Sequence, residues 1–118
     1  NMAQEVFNLT NQERANNGLP AYSWDSNMAS YSDRRAKEIV TDYSHNSAGG
    51  NWSVGENIAE GETSASEVVN DWMNSAGHKA NILSDVSTKI SVSCYVEKFT
   101  YADGSTQYLY HWVQNFTH

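Results

Sequence analysis

The chain has one cysteine, Cys94, and one proline, Pro20, in 118 residues. A lone cysteine excludes an internal disulfide, and with it the small secreted scaffolds stapled by cysteine pairs. It does not decide compartment, since many bacterial surface domains carry no disulfide at all. No apolar run approaches the roughly 20 residues that a membrane-crossing helix needs. A secretory-leader pattern is also missing, but the chain opens on Asn1, so a leader or neighbouring domain removed from the front is equally compatible.

Positive charge is scarce as well. Seven Lys and Arg stand against 14 Asp and Glu, for a net charge of −7. Between Lys37 and Lys79 there is no basic residue, while Glu38, Asp42, Glu56, Glu60, Glu62, Glu67 and Asp71 all fall there. The remainder balances at seven acids and seven bases, so the whole imbalance lies in that interval. Such a field repels nucleic-acid phosphates and anionic membranes, which excludes nucleic acid as a stable partner, and it attracts cations. The plain alternative is a solvated acidic face.

What remains is ordinary for a folded chain: 39% hydrophobic and 18% charged residues in 13.2 kDa. That suits one domain over 1–118 with a real core and no repeat or low-complexity tract. Apolar residues at Met2, Ala3, Val6, Phe7 and Leu9 predict a helix from about Met2 to Asn16. Asn17-Gly18 supplies its left-handed cap and Pro20 prevents a restart. Tyr22-Ser23-Trp24 reads as an extended link that buries aromatics. Asp25 or Ser26 caps a second helix carrying Met28, Ser32, Ala36, Ile39 and Val40, with Arg34, Arg35 and Lys37 facing solvent or the helix C-terminus. His45 follows just past its end, and the glycine-rich stretch 46–53 reads as a loop. Ser64 to Glu67 has the spacing of a capping box, opening a third helix that Gly77 ends, so that His78 emerges at a helix terminus. Residues 79–83 read as one more short turn. Lys89 to Phe99 alternates like a strand, with Cys94 in its apolar row as a small buried hydrophobe. Tyr108 to Phe116 is a second strand, and Asp103-Gly104 between them is a hairpin signal. His111 in that strand reads as packing, and the terminal His118 is uninformative. Helices first and a hairpin last give an α+β chain with helices packed on a sheet.

The stretch Val54-Gly55-Glu56-Asn57-Ile58-Ala59-Glu60-Gly61 draws attention because an acid sits among glycines and a short apolar run. Glycine permits tight turns and close approach, so Glu56 either points into a cleft or is a surface acid beside a strand. His45 lies before it and His78 after it. Histidine and glutamate are the residue types of proton transfer and of divalent metal sites. Glu56 also has a structural alternative, orienting a histidine or capping backbone donors.

Four segments, taken in order, resemble one family: Asn11-Gln12-Glu13-Arg14 with Asn17-Gly18-Leu19-Pro20; the His45 step; Gly55-Glu56-Asn57-Ile58-Ala59; and the run from Trp72 through Gly77-His78-Lys79-Ala80-Asn81 to Leu83. The closing Tyr110-His111-Trp112-Val113-Gln114-Asn115-Phe116 fits too. The chain resembles the CAP superfamily, also called SCP-like, of cysteine-rich secretory, antigen 5 and pathogenesis-related proteins, in its bacterial branch. The resemblance implies a three-layer α-β-α sandwich with a central, mainly antiparallel sheet, secreted or attached at the cell surface. It also implies a cleft lined by His45, Glu56, Asn57, Ser75 and His78. In the family two histidines and two acids can hold a divalent ion. His45, Glu56 and His78 match three of those positions, and the second acid falls on Ser75. A weak divalent site, zinc before others, is the cofactor so implied.

Two classes of function follow. One is a binding module for a divalent cation, a lipid-like molecule or a cell-wall component. The other is an extracellular hydrolase of peptidase or nuclease type, with Ser44, Ser47 or Ser75 as nucleophile beside a histidine base. None of these serines sits in a G-x-S-x-G elbow. Surface interaction with another cell, needing no cleft chemistry, is a third class.

Overall fold

The computed structural model of the chain describes residues 1–44 and 55–117. Their elements are, in order, α1 (Met2–Asn16), β1 (Ser23–Trp24), α2 (Ala29–Glu38), β2 (Gly55–Glu60), α3 (Ala65–Met73), α4 (Ala76–Ile82), β3 (Lys89–Thr100) and β4 (Thr106–Thr117). The four strands form one sheet in the order β1-β3-β4-β2. β1 runs parallel to β3, and the other pairs are antiparallel.

Side chains alternate along a strand, and residues paired across a ladder share a face. The register therefore sorts the sheet. Asn57, Ala59, Trp112, Gln114, Phe116, Ile90 and Val92 point to one side, and Glu56, Ile58, Val113, Asn115 and Ser91 to the other. The first side takes α1, α3 and α4, whose Val6, Val68, Val69, Trp72 and Ile82 complete the main core. Among the described elements, α2 packs on the second side, through the small cluster of Ala36, Ile39, Ile58 and Val113. This is the three-layer α-β-α sandwich.

Local chemistry explains most boundaries. Gly18, at φ 71°, lets Leu19 N–H reach back to the Arg14 carbonyl at 2.9 Å and closes α1. Ser64 Oγ accepts from Glu67 N–H at 3.2 Å, and the Glu67 carboxylate accepts from Thr63 N–H at 2.9 Å, so the capping box starts α3. Gly104, at φ 88°, turns the β3–β4 hairpin.

Four expectations are corrected. Asp25 does not cap α2 directly: its carboxylate accepts from Asn27 and Met28 N–H in the preceding turn, and the helix starts at Ala29. Trp24 is not buried; Tyr22 takes the core place, while Trp24 sits outside, edge-on to Phe7. Gly77 does not end α3. The break comes at Asn74 and Ser75, and Gly77 and His78 lie in the first turn of α4. The largest correction is Arg35, which is fully buried rather than facing solvent, whereas Arg34 is the exposed partner.

Candidate functional site

Arg35 occupies the buried face of α2 because Met28, Ser32, Arg35 and Ile39 recur at helical spacing on the side that meets the sheet. Its guanidinium forks onto Glu56: Nη2 donates to Oε1 at 2.7 Å and Nε to Oε2 at 2.9 Å. Asn115 Nδ2, across the β2–β4 ladder, donates to the same Oε2 at 2.8 Å. Arg35 also reaches Glu38 from Nη1 at 3.1 Å and the Ser44 carbonyl from Nη2 at 2.8 Å. The Glu56 bond holds the guanidinium above its ordinary value, against the desolvation that burial imposes. Ser32 Oγ donates to Asn115 Oδ1 at 2.7 Å and is bonded to Ser91 Oγ. A polar chain thus runs from β3 through α2 and β4 to Glu56, and it fastens the layer whose apolar cluster is small.

Asn57, next along β2, points to the opposite face and is fully buried. Its Nδ2 donates to the His78 carbonyl and to Gln114 Oε1, each at 3.1 Å, and its Oδ1 accepts from Asn81 Nδ2 at 2.9 Å. Gln114 in turn donates to Thr10 Oγ1 at 2.7 Å. Asn57 therefore pins the first turn of α4 to β2 and ties both to α1. A Cβ on Gly55 would meet Asn81 Oδ1 at 3.0 Å, so glycine is what lets α4 approach this closely.

The positions expected in the cleft are brought together only in part. Glu56 on β2 and His78 on α4 lie on adjoining elements, with Asn81, one turn beyond His78, 3.4 Å from the Glu56 carbonyl. Ser75 is half-buried at the start of α4, and its side chain makes no capping bond. Ser44 donates from Oγ to Asp42 at 2.7 Å. His45 and Ser47 lie outside the described residues. Among the described residues no three His, Cys, Asp or Glu side chains converge as a metal-holding group.

Of the three expected ligands, Glu56 and His78 are among the described residues and His45 is not. The one family carboxylate present, Glu56, has both oxygens engaged by Arg35, and a buried guanidinium beside it repels a second cation. Ser75 supplies a neutral hydroxyl where the family's second acid would stand.

The acids between Lys37 and Lys79 disperse instead of forming one face. Glu38 and Glu56 serve Arg35, Glu67 caps α3, and Asp42 holds Ser44. Burial, reinforced by a hydrogen bond with Asp71, pushes Glu62 up to about 7. Glu60 and Glu97 flank the buried His111, which lies 2.6 Å from Glu97 through Nε2 and 3.7 Å from Glu60 through Nδ1. Beside α4 an open, mostly apolar groove of about 770 Å³ is lined by Leu19, Ala76, Lys79, Ala80 and Leu83 among others.

Sequence reasoning missed Arg35, Asn115, Asn81 and Gln114. For Arg35 there was a signal, a basic residue three after Ser32 and four before Ile39 on an otherwise inward face. The carboxamides had none, since nothing local marks an amide as buried.

A three-layer sandwich with a Glu- and His-bearing step between β2 and α4 defines a class, and comparison with known proteins agrees with it. The profile of the cysteine-rich secretory protein family, CAP, matches residues 7–116. The uncharacterized protein YkwD of Bacillus subtilis is 32% identical over 109 residues, covering 80% of this chain and 42% of that relative. An extracellular SCP-domain protein from Bacillus anthracis superposes with a TM-score of 0.73 at 23% identity, over 98% of this chain and 39% of that one. An outer surface protein of Borrelia burgdorferi gives a TM-score of 0.67 at 16% identity, over 99% and 95% of the two chains. This chain belongs to the CAP family, in its bacterial branch. It spans 42% and 39% of the two Bacillus relatives' lengths.

Proposed function

We propose that this chain is a secreted or surface-displayed binding module whose cleft works without a metal and without covalent catalysis. The observation that carries this reading is the fork of Arg35 on Glu56. A carboxylate held on both oxygens by a buried guanidinium is poorly placed to ligate a cation, and equally poorly placed to orient a histidine base. Among the described residues the hydrolase alternative also lacks a prepared nucleophile: Ser44 donates to Asp42, and Ser75 stands at a plain helix start. The relatives described as extracellular and outer surface proteins favour an outside location. No helix among the described residues is long and apolar enough to cross a membrane.

The ligand class is lipid-like, with cell-wall material as the second candidate. The groove beside α4 offers apolar walls from Leu19, Ala76, Ala80 and Leu83, with Lys79 and Asp85 both on its lining, so a polar headgroup of either sign, or a zwitterionic one, would find a partner there. The test uses a dansylated fatty acid and, separately, co-sedimentation with purified cell walls, each with wild type, Ala80→Glu and Lys79→Ala. Saturable binding weakened by either substitution, with no turnover of the probe, is the expected result. A serine-reactive fluorophosphonate should leave the native protein unlabelled; stoichiometric labelling that disappears in Ser75→Ala would establish the hydrolase instead.

A further inference from the structure

We propose that the pocket between the α1–β1 and α4–β3 connections binds a free α-amino acid with an apolar side chain, apart from the Glu56–His78 step. Two of this chain's arginines are buried, and their surroundings differ. Arg35 has its carboxylate in Glu56. Arg14, 2% exposed, has no such partner among the described residues. Its bonds run to carbonyls, from Nε to Pro20 at 2.7 Å and from Nη1 to Ile82 and Ser84 at 2.9 and 2.8 Å. The guanidinium lies over the Tyr22 ring, 3.8 Å from its centroid, and Nη2 makes no hydrogen bond to any described residue. A buried guanidinium without an anion is rare in a folded chain, because desolvation of the charge is then uncompensated.

Ser87 repeats the pattern. It is 4% exposed, and its hydroxyl has no hydrogen-bond partner among the described residues, although its backbone N–H donates to Ser84 Oγ at 3.2 Å. Buried polar groups are almost always satisfied, so two left open in one place call for a group to fill it. Arg14 and Ser87 line the same pocket, of about 280 Å³. Neither open atom is sealed from it. Among the described residues, the partnerless side-chain atoms closed to solvent are Glu62 Oε1 and His111 Nδ1, not these two.

The lining dictates the chemistry of the occupant. Arg14 supplies a charged planar donor and Ser87 a hydroxyl, a pair suited to a carboxylate. Asp85, exposed on the same lining, makes no ion pair among the described residues and supplies the opposite charge. Leu19, Pro20 and Ala21 form the apolar part of the wall. Both charges and an apolar wall in one small pocket match a zwitterion with an apolar side chain. A simple anion would meet Asp85 as a repulsion, and the carboxylate end of a peptide would bring it no ammonium. The carbonyl bonds of Arg14 hold the guanidinium in place before a ligand arrives, so little ordering is needed on binding. The groove beside α4 adjoins this pocket through Leu19 and Asp85, but its other walls are different residues.

The probe is leucine, titrated into the protein by calorimetry with amide NMR spectra recorded alongside. Saturable binding is expected, with amide shifts at residues 19–23 and 84–88. Leucinamide lacks the carboxylate and should bind at least about tenfold more weakly, since Arg14 gains no counter-ion. N-acetyl-leucine lacks the ammonium and should lose about three- to fivefold, the smaller effect because Asp85 is exposed. In Asp85→Asn that second difference should vanish. Arg14 itself stays in place, because its removal would strip the Pro20, Ile82 and Ser84 carbonyls of a donor. Ala21→Phe, at an exposed position, fills the pocket instead. It should abolish binding while the melting temperature stays within about 2 degrees of wild type. Ala80→Glu, which obstructs the groove beside α4, should leave leucine affinity within about twofold. Unchanged affinity in Ala21→Phe, leucinamide bound as tightly as leucine, or no saturation below about 10 mM leucine would each overturn the proposal. So would N-acetyl-leucine bound as tightly as leucine, since the pocket would then take the carboxylate end of a peptide. Loss of binding in Ala80→Glu would overturn it too, by putting leucine in the groove.

Discussion

Replacing Arg35 by methionine removes the guanidinium but keeps a long, flexible apolar side chain in a site with no solvent exposure. What is left behind is the Glu56 carboxylate, its side chain 7% exposed, deprived of both Arg35 donors. Breaking a buried ion pair from one side typically costs about 3–5 kcal/mol, because the surviving charge remains desolvated. The α2 layer makes the upper part of that range the expectation here. Among the described residues its apolar cluster is small, Ala36, Ile39, Ile58 and Val113, so the polar attachments through Arg35, Ser32 and Asp33 carry much of the hold on the helix. Glu56→Gln should cost less, about 2–3 kcal/mol, since the guanidinium keeps Glu38 and the Ser44 carbonyl. The double variant should be clearly better than the sum of the two, with a coupling of roughly 2 kcal/mol. Urea unfolding of the four proteins at one pH gives the cycle, with equal m-values as the check that the same surface is exposed. A coupling below about 0.5 kcal/mol, or single variants within about 1 kcal/mol of wild type, would refute the view that this pair organises the site.

Two other outcomes follow from titrating groups. Burial pushes the Cys94 thiol up to about 11; at pH 8 its thiolate fraction should fall roughly a hundredfold below that of an ordinary thiol, so a thiol reagent should react slowly with native protein and fully after denaturation. Rapid native reaction would mean that the β3 row is more open than its packing indicates. Glu62, at about 7 in the fold against an ordinary 4.5, binds its proton more tightly folded than unfolded. Its contribution to stability is therefore complete below about pH 4.5 and is lost as pH rises through 7. Partial exposure reduces the effect to about 1–2 kcal/mol. Glu62→Gln should flatten the pH dependence of urea stability between pH 5 and pH 8, and an unchanged slope would assign that dependence to other groups.

Much of the fold was legible because its signals are local. The period of Met2 to Asn16, the Ser64–Glu67 box and the Asp103-Gly104 turn each act within a few residues, and the structure places all three where local rules put them. Gly77 misled because a glycine near a helix end suggests a cap; here Asn74 and Ser75 already break the helix, and Gly77 continues as α4. The site was legible as residue types but not as bonds. Glu56 and His78 do come to adjoining elements, yet the partner that defines Glu56 is 21 residues away on another layer. Arg34 and Arg35 are identical in composition, and only the phase of the helix against Met28, Ser32 and Ile39 separates the buried one from the exposed one. The long-range carboxamides Asn57, Asn81, Gln114 and Asn115 carry no local periodic mark, because their role exists only once three layers have met.

The central claim is that Arg35 occupies electrostatically the role a cation would play beside Glu56. Thermal unfolding of wild type in excess zinc and in chelator tests it most directly, with Arg35→Met, His45→Ala and His78→Ala run alongside. A native-state ligand raises the melting temperature by mass action, so a loaded site would be visible. The account predicts no zinc-dependent shift in wild type, and a zinc-dependent rise appearing in Arg35→Met, where the carboxylate is released. A rise of several degrees in wild type that is lost in both histidine variants would contradict it.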